Sequence, residues 1–179
     1  MCEFADPYKV VTKTLDIVTQ RVVKYMKDKG LTLSAAESCT GGLVSASVTS
    51  VSGASAVYKG GVCSYSEEIK MSVLGVSEQT LEKYSVYSEQ TASEMSEGVM
   101  RLMKTDAAIG ITGIAGPDGG TEQKPVGTVY VSVRYKDREQ VKDLALYKEY
   151  EKLDRNTVRY LAATRSLEML LDLMMKDEG

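Results

Sequence analysis

The sequence contains no histidine and no tryptophan, and it has one phenylalanine and three prolines among its 179 residues. Because histidine most often moves protons in hydrolases, any acid–base step here must use lysine, tyrosine or a carboxylate. Histidine is also a common zinc ligand, and the three cysteines, Cys2, Cys39 and Cys63, lack the spacing of a zinc motif. We therefore expect reduced thiols, no metal and no cofactor.

Long apolar runs and a basic excess are also missing. No run approaches the roughly 18 apolar residues that a membrane helix needs, and the N-terminus lacks the blocks of a signal peptide. Lysine and arginine number 22 against 25 acidic residues, the net charge is −3, and the basic residues form no stripe. We therefore predict a cytoplasmic protein that binds neither membranes nor nucleic acid.

The pattern of helices and strands predicts an α/β fold. Hydrophobic residues make up 43% of the chain, which is enough to bury the core of one domain over residues 1–179, with its core at about 10–172. Periodicity and capping residues predict helices at 9–29, 43–51, 67–74, 89–104 and 155–175, and strands at 31–36, 57–65, 106–112, 129–133 and 141–147. This order predicts a three-layer α/β/α domain with a mixed, mostly parallel sheet of about five strands.

The segment AAESCTGG, residues 35–42, lies at a predicted strand-to-helix turn. A nucleophile there would stand at the carboxyl edge of the sheet, near helix N–H groups that can hold an oxyanion. Ser38 and Cys39 are rival candidates, and at most one of two adjacent side chains can face a pocket. Alternatively, the polar residues only cap the helix and Cys39 is a small buried residue. The residue types leave these alternatives open.

Lys70 is the candidate base, because it follows a predicted strand on the first turns of the next helix. A lysine with an ordinary pKa is neutral only about once in 2,500 at pH 7, a cost of roughly 4.6 kcal/mol, so burial would have to lower its pKa. The alternative is a solvated surface lysine. No Ser-x-x-Lys motif occurs near Ser38, which excludes the β-lactamase pattern there.

Two further features suggest ligand binding. Residues 113–127 hold five of the 15 glycines and two of the three prolines, which is typical of a binding loop, although a surface crossover is the alternative. The loop is not a Walker A motif, because Lys124 is followed by proline. Arg155 opposes the dipole at the start of the last helix, which favours a role in binding a phosphate.

Four motifs together resemble the CinA C-terminal domain family, whose active members are nicotinamide mononucleotide deamidases. They are AESCTGG (36–42), YSxxxK (65–70), LGV (74–76) and ITGIAGPDGG followed by KPVGTV (111–129). The similarity spans about residues 10–172. Many relatives carry an additional N-terminal domain that resembles molybdopterin-binding proteins, and no pyrophosphatase activity of such a domain is expected here.

The resemblance implies hydrolysis of nicotinamide mononucleotide to nicotinic acid mononucleotide and ammonia, in NAD salvage. It implies Ser38 as the nucleophile, Lys70 as the base and Tyr65 as its helper. The substrate-binding residues that we expect on this basis are Thr40, Gly41, Gly42, Thr112, Gly113 and Arg155. The N–H groups near Thr40 and Gly41 would hold the oxyanion, and a homo-oligomer is expected.

The sequence departs from the family at two positions near these residues. Glu67 stands where the family often has asparagine, and Leu153 stands where it usually has glycine. An alternative function is therefore a non-catalytic nucleotide-binding or regulatory module. A third, an interaction protein in competence or DNA repair, is opposed by the acidic charge balance.

Overall fold

The computed structural model describes residues 7–176, so that Cys2 lies outside the described part. The helices are α1 Pro7–Lys29, α2 Leu43–Thr49, α3 Glu67–Leu74, α4 Glu78–Tyr84, α5 Glu89–Met103 and α6 Arg155–Met175. The strands are β1 Leu33–Glu37, β2 Tyr58–Cys63, β3 Ala107–Gly113, β4 Val129–Tyr135 and β5 Arg138–Asp143. None of these helices is long and apolar enough to cross a membrane.

The five strands form one mixed sheet in the order β2-β1-β3-β4-β5. β1 pairs in parallel with both β2 and β3, whereas β4 is antiparallel to both of its neighbours. Four strands therefore run in one direction and β4 runs against them. This confirms the predicted mixed, mostly parallel sheet of five strands.

Helices cover both faces of the sheet, as the three-layer prediction requires. α1, α2 and α6 lie on one face, and α3, α4 and α5 lie on the other. Every residue of β1 and β3 is buried, as expected for central strands with two covered faces. Alternate β1 residues enter the two cores, since Ala35 packs with the α1 and α6 side and Ala36 packs with Met95 and Val99 of α5.

The sequence-based prediction missed one helix and placed the last strand too late. The seven-residue helix α4 was not predicted, because it has a single large aliphatic residue, Leu81, and is too short to show a helical period. β5 begins at Arg138 rather than at residue 141, and it ends before Leu144 and Leu146. Those two leucines are buried, but they belong to the segment that follows the edge strand.

The fold brings three strand ends together at one edge. The carboxyl ends of β2, β1 and β3 are neighbours. After β1 the chain continues to β2 on one side of β1, and it then passes through α3–α5 to β3 on the other side of β1. Ligands of open α/β sheets bind in the crevice at such a point. α5 packs closely on β3 beside it, because a Cβ on Gly110 would lie 2.4 Å from the carbonyl oxygen of Ala92.

Candidate active site

A pocket of about 310 Å³ opens at this edge. Its walls come from the segments after β1, β2 and β3, from the segment before α5 and from the start of α6. Five residues predicted from the sequence line it: Ser38, Tyr65, Lys70, Gly113 and Arg155. The glycine loop after β3 also contributes to the lining, in agreement with its interpretation as a binding loop.

Ser38 and Lys70 form the central pair of this pocket. Lys70 Nζ lies 3.1 Å from Ser38 Oγ, and it also donates a hydrogen bond to the Ser64 carbonyl oxygen at 2.6 Å. The contact arises because Ser38 follows β1, while Lys70 lies on the first turns of α3, after the neighbouring strand β2. A hydroxyl and an amine at this distance can exchange a proton directly.

Lys70 is fully buried, in contrast to the surface alternative. No carboxylate within the described residues lies at salt-bridge distance from its amine. Burial lowers the pKa of Lys70 below its ordinary value, and the negative charge of Glu67 offsets part of this effect. A buried lysine without a close counterion favours the neutral amine, which is the form that can act as a base.

Cys39 also lines the pocket, but its environment does not activate it. The side chain is 5% exposed, and burial raises the pKa of the thiol to about 12. At neutral pH the group is therefore a protonated thiol and not the thiolate that acts as a nucleophile. This supports the interpretation of Cys39 as a small buried residue.

The cap of α2 comes from Glu37 and not from the polar residues that follow it. The buried Glu37 carboxylate accepts hydrogen bonds from Val44 N at 3.0 Å, Ser45 N at 2.9 Å and Ser45 Oγ at 2.7 Å. A carboxylate there is favoured by the helix dipole. The Ser38 hydroxyl is therefore not needed as a cap, and it faces the pocket instead.

The turn at residues 40–42 lies beside the pocket rather than in its lining. Gly41 and Gly42 have φ angles of 61° and 89°, in the left-handed region that favours glycine. Gly41 N donates to the Ser38 carbonyl oxygen at 3.0 Å, so this N–H is occupied in closing the turn. Among the described residues, the N–H groups of Cys39 and Thr40 carry no such bond and remain candidates for the oxyanion.

Arg159 holds this turn from the first turns of α6. Its Nε and Nη2 donate to the Thr40 carbonyl oxygen at 3.1 and 3.0 Å. The Thr40 side chain is fully buried, and its hydroxyl has no partner within the part of the chain that the structure describes. The sequence offered no signal for the role of Arg159, because the two residues are 119 positions apart.

Thr112 was expected to contact substrate, but its side chain does not line the pocket. It is fully buried, and its hydroxyl donates to the Val86 carbonyl oxygen at 2.8 Å. Thr112 therefore holds the segment before α5, which forms one wall of the pocket. Gly113 follows it at the end of β3 and does line the pocket.

Tyr65 and Arg155 meet at the mouth of the pocket. Arg155 Nη2 donates to the Tyr65 hydroxyl at 3.0 Å, and Arg155 Nη1 donates to the Gly116 carbonyl oxygen at 2.7 Å. Tyr65 is 65% exposed, and no hydrogen bond joins it to Ser38 or Lys70. Leu153 does not disturb this arrangement, since it packs against the Gly127 turn while Asp154 caps α6.

Sequence reasoning did not single out every residue of the pocket. Tyr87 and Asp118 both line the pocket, Tyr87 from the segment before α5 and Asp118 from the glycine loop. Tyr87 lies 17 positions after Lys70, in a stretch without a motif. The one available signal was that Tyr87 directly precedes Ser88, the N-cap of α5, which places it in a loop at the start of a helix.

Comparison with known proteins identifies the family. The CinA C-terminal domain model matches residues 15–174. A CinA-like protein of Thermotoga neapolitana is 47% identical over 150 residues, which are 83% of this chain and 35% of that protein. The crystal structure of the competence/damage inducible protein CihA from Agrobacterium tumefaciens superposes with a TM-score of 0.85 at 33% identity, covering 89% of this chain and 95% of that one.

A competence-damaged protein (CinA) superfamily structure from Escherichia coli gives a TM-score of 0.83, also at 33% identity, over 90% of this chain and 91% of that one. The chain spans about a third of the length of the curated relatives that it matches. These matches cover both the fold and the segments that build the pocket. The chain belongs to the CinA C-terminal domain family.

Proposed function

We propose that the chain is an amidohydrolase that converts nicotinamide mononucleotide to nicotinic acid mononucleotide and ammonia. The observation that carries the proposal is the 3.1 Å contact between Ser38 Oγ and the buried amine of Lys70. The names of the relatives do not include this reaction, and the proposal depends on the site and on the family resemblance. It requires no histidine and no metal ligand.

In the first half of the reaction, Ser38 Oγ attacks the carboxamide carbon. The hydroxyl proton passes to the neutral amine of Lys70, which becomes an ammonium group. The N–H groups of Cys39 and Thr40, which donate to no backbone carbonyl within residues 7–176, are the donors best placed in sequence to hold the oxyanion. Lys70 then gives its proton to the nitrogen as the C–N bond breaks, which releases ammonia and leaves an acyl-serine ester.

In the second half, water attacks the acyl-serine ester. Lys70 takes a proton from the water molecule and returns it to Ser38 Oγ as the ester bond breaks. The hydrogen bond from Lys70 Nζ to the Ser64 carbonyl oxygen keeps the amine in place through both proton transfers. Nicotinic acid mononucleotide leaves as the carboxylate.

Arg155 and Tyr65 suit the other end of the substrate. The guanidinium of Arg155 stands at the pocket mouth, where it donates to a neutral hydroxyl and a carbonyl oxygen, and it forms no ion pair with a carboxylate among the described residues. Such a group binds a phosphate well. Tyr65 therefore acts in this proposal through Arg155, and not as a proton relay to Lys70.

Ammonia release from nicotinamide mononucleotide tests the proposal. The wild-type chain should release ammonia, and Ser38→Ala and Lys70→Met should each lower kcat by about 10⁴-fold or more if the pair acts as a unit. Ser72→Ala and Lys59→Met are the matched controls, because both residues are exposed and lie outside the pocket. Equal turnover by wild type and Ser38→Ala would remove Ser38 from the mechanism.

A non-catalytic nucleotide-binding module is the second candidate. The observation in its favour is Glu67, whose charge raises the pKa of Lys70 and so favours the protonated amine. A module of this kind should be stabilised against heat by nicotinamide mononucleotide without releasing ammonia. Thermal unfolding and ammonia release measured on the same sample separate the two functions.

A further inference from the structure

The segment at residues 85–87 is held by side chains along its whole backbone. It connects α4 with α5, and Val86 and Tyr87 from it line the pocket. Each of its three carbonyl oxygens accepts at least one hydrogen bond from a side chain outside the segment. The donors are Ser88 Oγ (3.0 Å) and Thr91 Oγ1 (2.9 Å) to Ser85, Thr112 Oγ1 (2.8 Å) to Val86, and Lys124 Nζ (2.7 Å) to Tyr87.

These bonds fix a backbone that would otherwise be mobile. Carbonyl groups in short surface connections usually face water, whereas these accept hydrogen bonds from side chains. The bonds of Lys124 also offset the conformational entropy that is lost when its long side chain is ordered. Lys124 also donates to Ser85 Oγ at 2.6 Å, so that one amine ties the glycine loop to two points of the segment. Ser85 has a φ of 71°, in the left-handed region, which shows how closely its conformation is constrained.

The side chain that this backbone places in the pocket is Tyr87. It is half-buried, and burial is the main cause that raises the pKa of its phenol, with a smaller contribution from the negative charge of Glu67. The phenol therefore stays protonated, and Tyr87 lines the same pocket as Ser38. Unlike Tyr65, its hydroxyl makes no hydrogen bond to any described residue, so neither its ring nor its hydroxyl is committed to the fold.

We propose that Tyr87 contacts the pyridine ring of the substrate, and that Thr112 and Lys124 are positioning residues that act through Tyr87. The inference rests on the proposed function. An aromatic face beside the apolar side chains of Val86 and Ile114 suits a flat ring, and a pyridinium ring adds cation–π attraction. Stacking on Tyr87 would bind the ring equally before and during the reaction, so its loss should appear mainly in KM.

Steady-state kinetics with nicotinamide mononucleotide test this assignment. Tyr87→Leu should raise KM about tenfold while kcat changes less, and Tyr87→Phe should stay within about threefold of wild type, because it keeps the ring. Thr112→Val should raise KM about three- to tenfold through the lost hydrogen bond, and Thr112→Ser should restore it. Lys124→Met should follow Thr112→Val.

Thr164→Val is the matched control, since Thr164 is also buried and donates to a carbonyl oxygen at 2.8 Å, but within α6 and away from the pocket. It should leave KM unchanged. In the Tyr87→Leu background, Thr112→Val should cause no further rise in KM, because the residue through which it acts is already gone. Thermal unfolding of each variant checks that the chain is folded.

The possible failures are distinguishable. Hydrolysis with an unchanged KM in Tyr87→Leu would overturn the role of Tyr87 and leave the proposed function intact. The same rise in KM from Thr112→Val with and without Tyr87 would show that Thr112 affects substrate binding independently of Tyr87, and would overturn its proposed action through Tyr87. Absence of hydrolysis by the wild-type chain would instead overturn the proposed function, and the inference with it.

Discussion

Glu37 should be among the largest single contributors to the stability of the site, and Glu37→Gln tests this. The carboxylate is 1% exposed and accepts three hydrogen bonds from Val44 and Ser45 at the start of α2. A glutamine has one acceptor oxygen, so its amide group must face one of the two N–H donors. The variant keeps the size of the side chain and removes both the charge and at least one bond.

The expected loss can be worked from these contacts. One charge-assisted hydrogen bond contributes about 1.5–3 kcal/mol, and the bonds that remain weaken when their acceptor becomes neutral. The favourable interaction with the helix dipole, about 0.3–1 kcal/mol, also disappears. Relief from burying a charge offsets part of this, which leaves a net destabilisation of about 3 kcal/mol and a Tm lower by about 6–12 °C for a chain of this size.

Thermal and urea unfolding provide the measurement. Glu68→Gln is the matched control, because Glu68 lies in the first turn of α3 but is exposed, and its substitution should cost less than about 1 kcal/mol. Since Ser38 directly follows Glu37, kcat of Glu37→Gln should fall as well. If Glu37→Gln unfolded at the wild-type midpoint, the carboxylate would not be the cap that stabilises α2.

Three further predictions concern the chemistry of the pocket. Because burial lowers the pKa of Lys70 from 10.5 and only the neutral amine is a base, kcat/KM should rise with pH, with a midpoint below pH 10.5. Glu67→Gln removes a negative charge near Lys70 and should move this midpoint to lower pH. An unchanged midpoint would mean that another group titrates. Between the lowered pKa of Lys70 and pH 10.5, the unfolded chain binds a proton that the folded chain has lost, so the free energy of unfolding of the wild type should rise with pH. Lys70→Met should not show this rise. Urea unfolding at several pH values measures both. Cys39→Ser should retain most of the ammonia release, since the thiol has a pKa of about 12, and loss of activity in a folded variant would restore the thiol as a nucleophile.

Much of the architecture was predictable from local patterns. The apolar spacing in α1, the Ser66, Ser88 and Asp154 caps and the apolar run of β3 depend on neighbouring residues, and the structure confirms each of them. α4 escaped prediction because seven residues with one large aliphatic side chain carry too little periodic signal. The α/β class and the position of AAESCTGG after a strand followed from the same local reasoning.

Local sequence patterns predicted the order of the strands and of every α-helix except α4, together with a short set of reactive residues, because helix periods, caps and glycine-rich turns depend on adjacent positions. They left Ser38 and Cys39 as rivals and Lys70 as a lysine of unknown exposure. The tertiary structure shows that Lys70 is buried against Ser38, and such contacts could not be read from the sequence because they join distant parts of the chain. Lys70 meets Ser38 across 32 positions, Arg155 meets Tyr65 across 90, and Thr112 reaches Val86 across 26. Burial, which sets the protonation of Lys70 and Cys39, likewise exists only after the three strand ends and the helices around them have packed together.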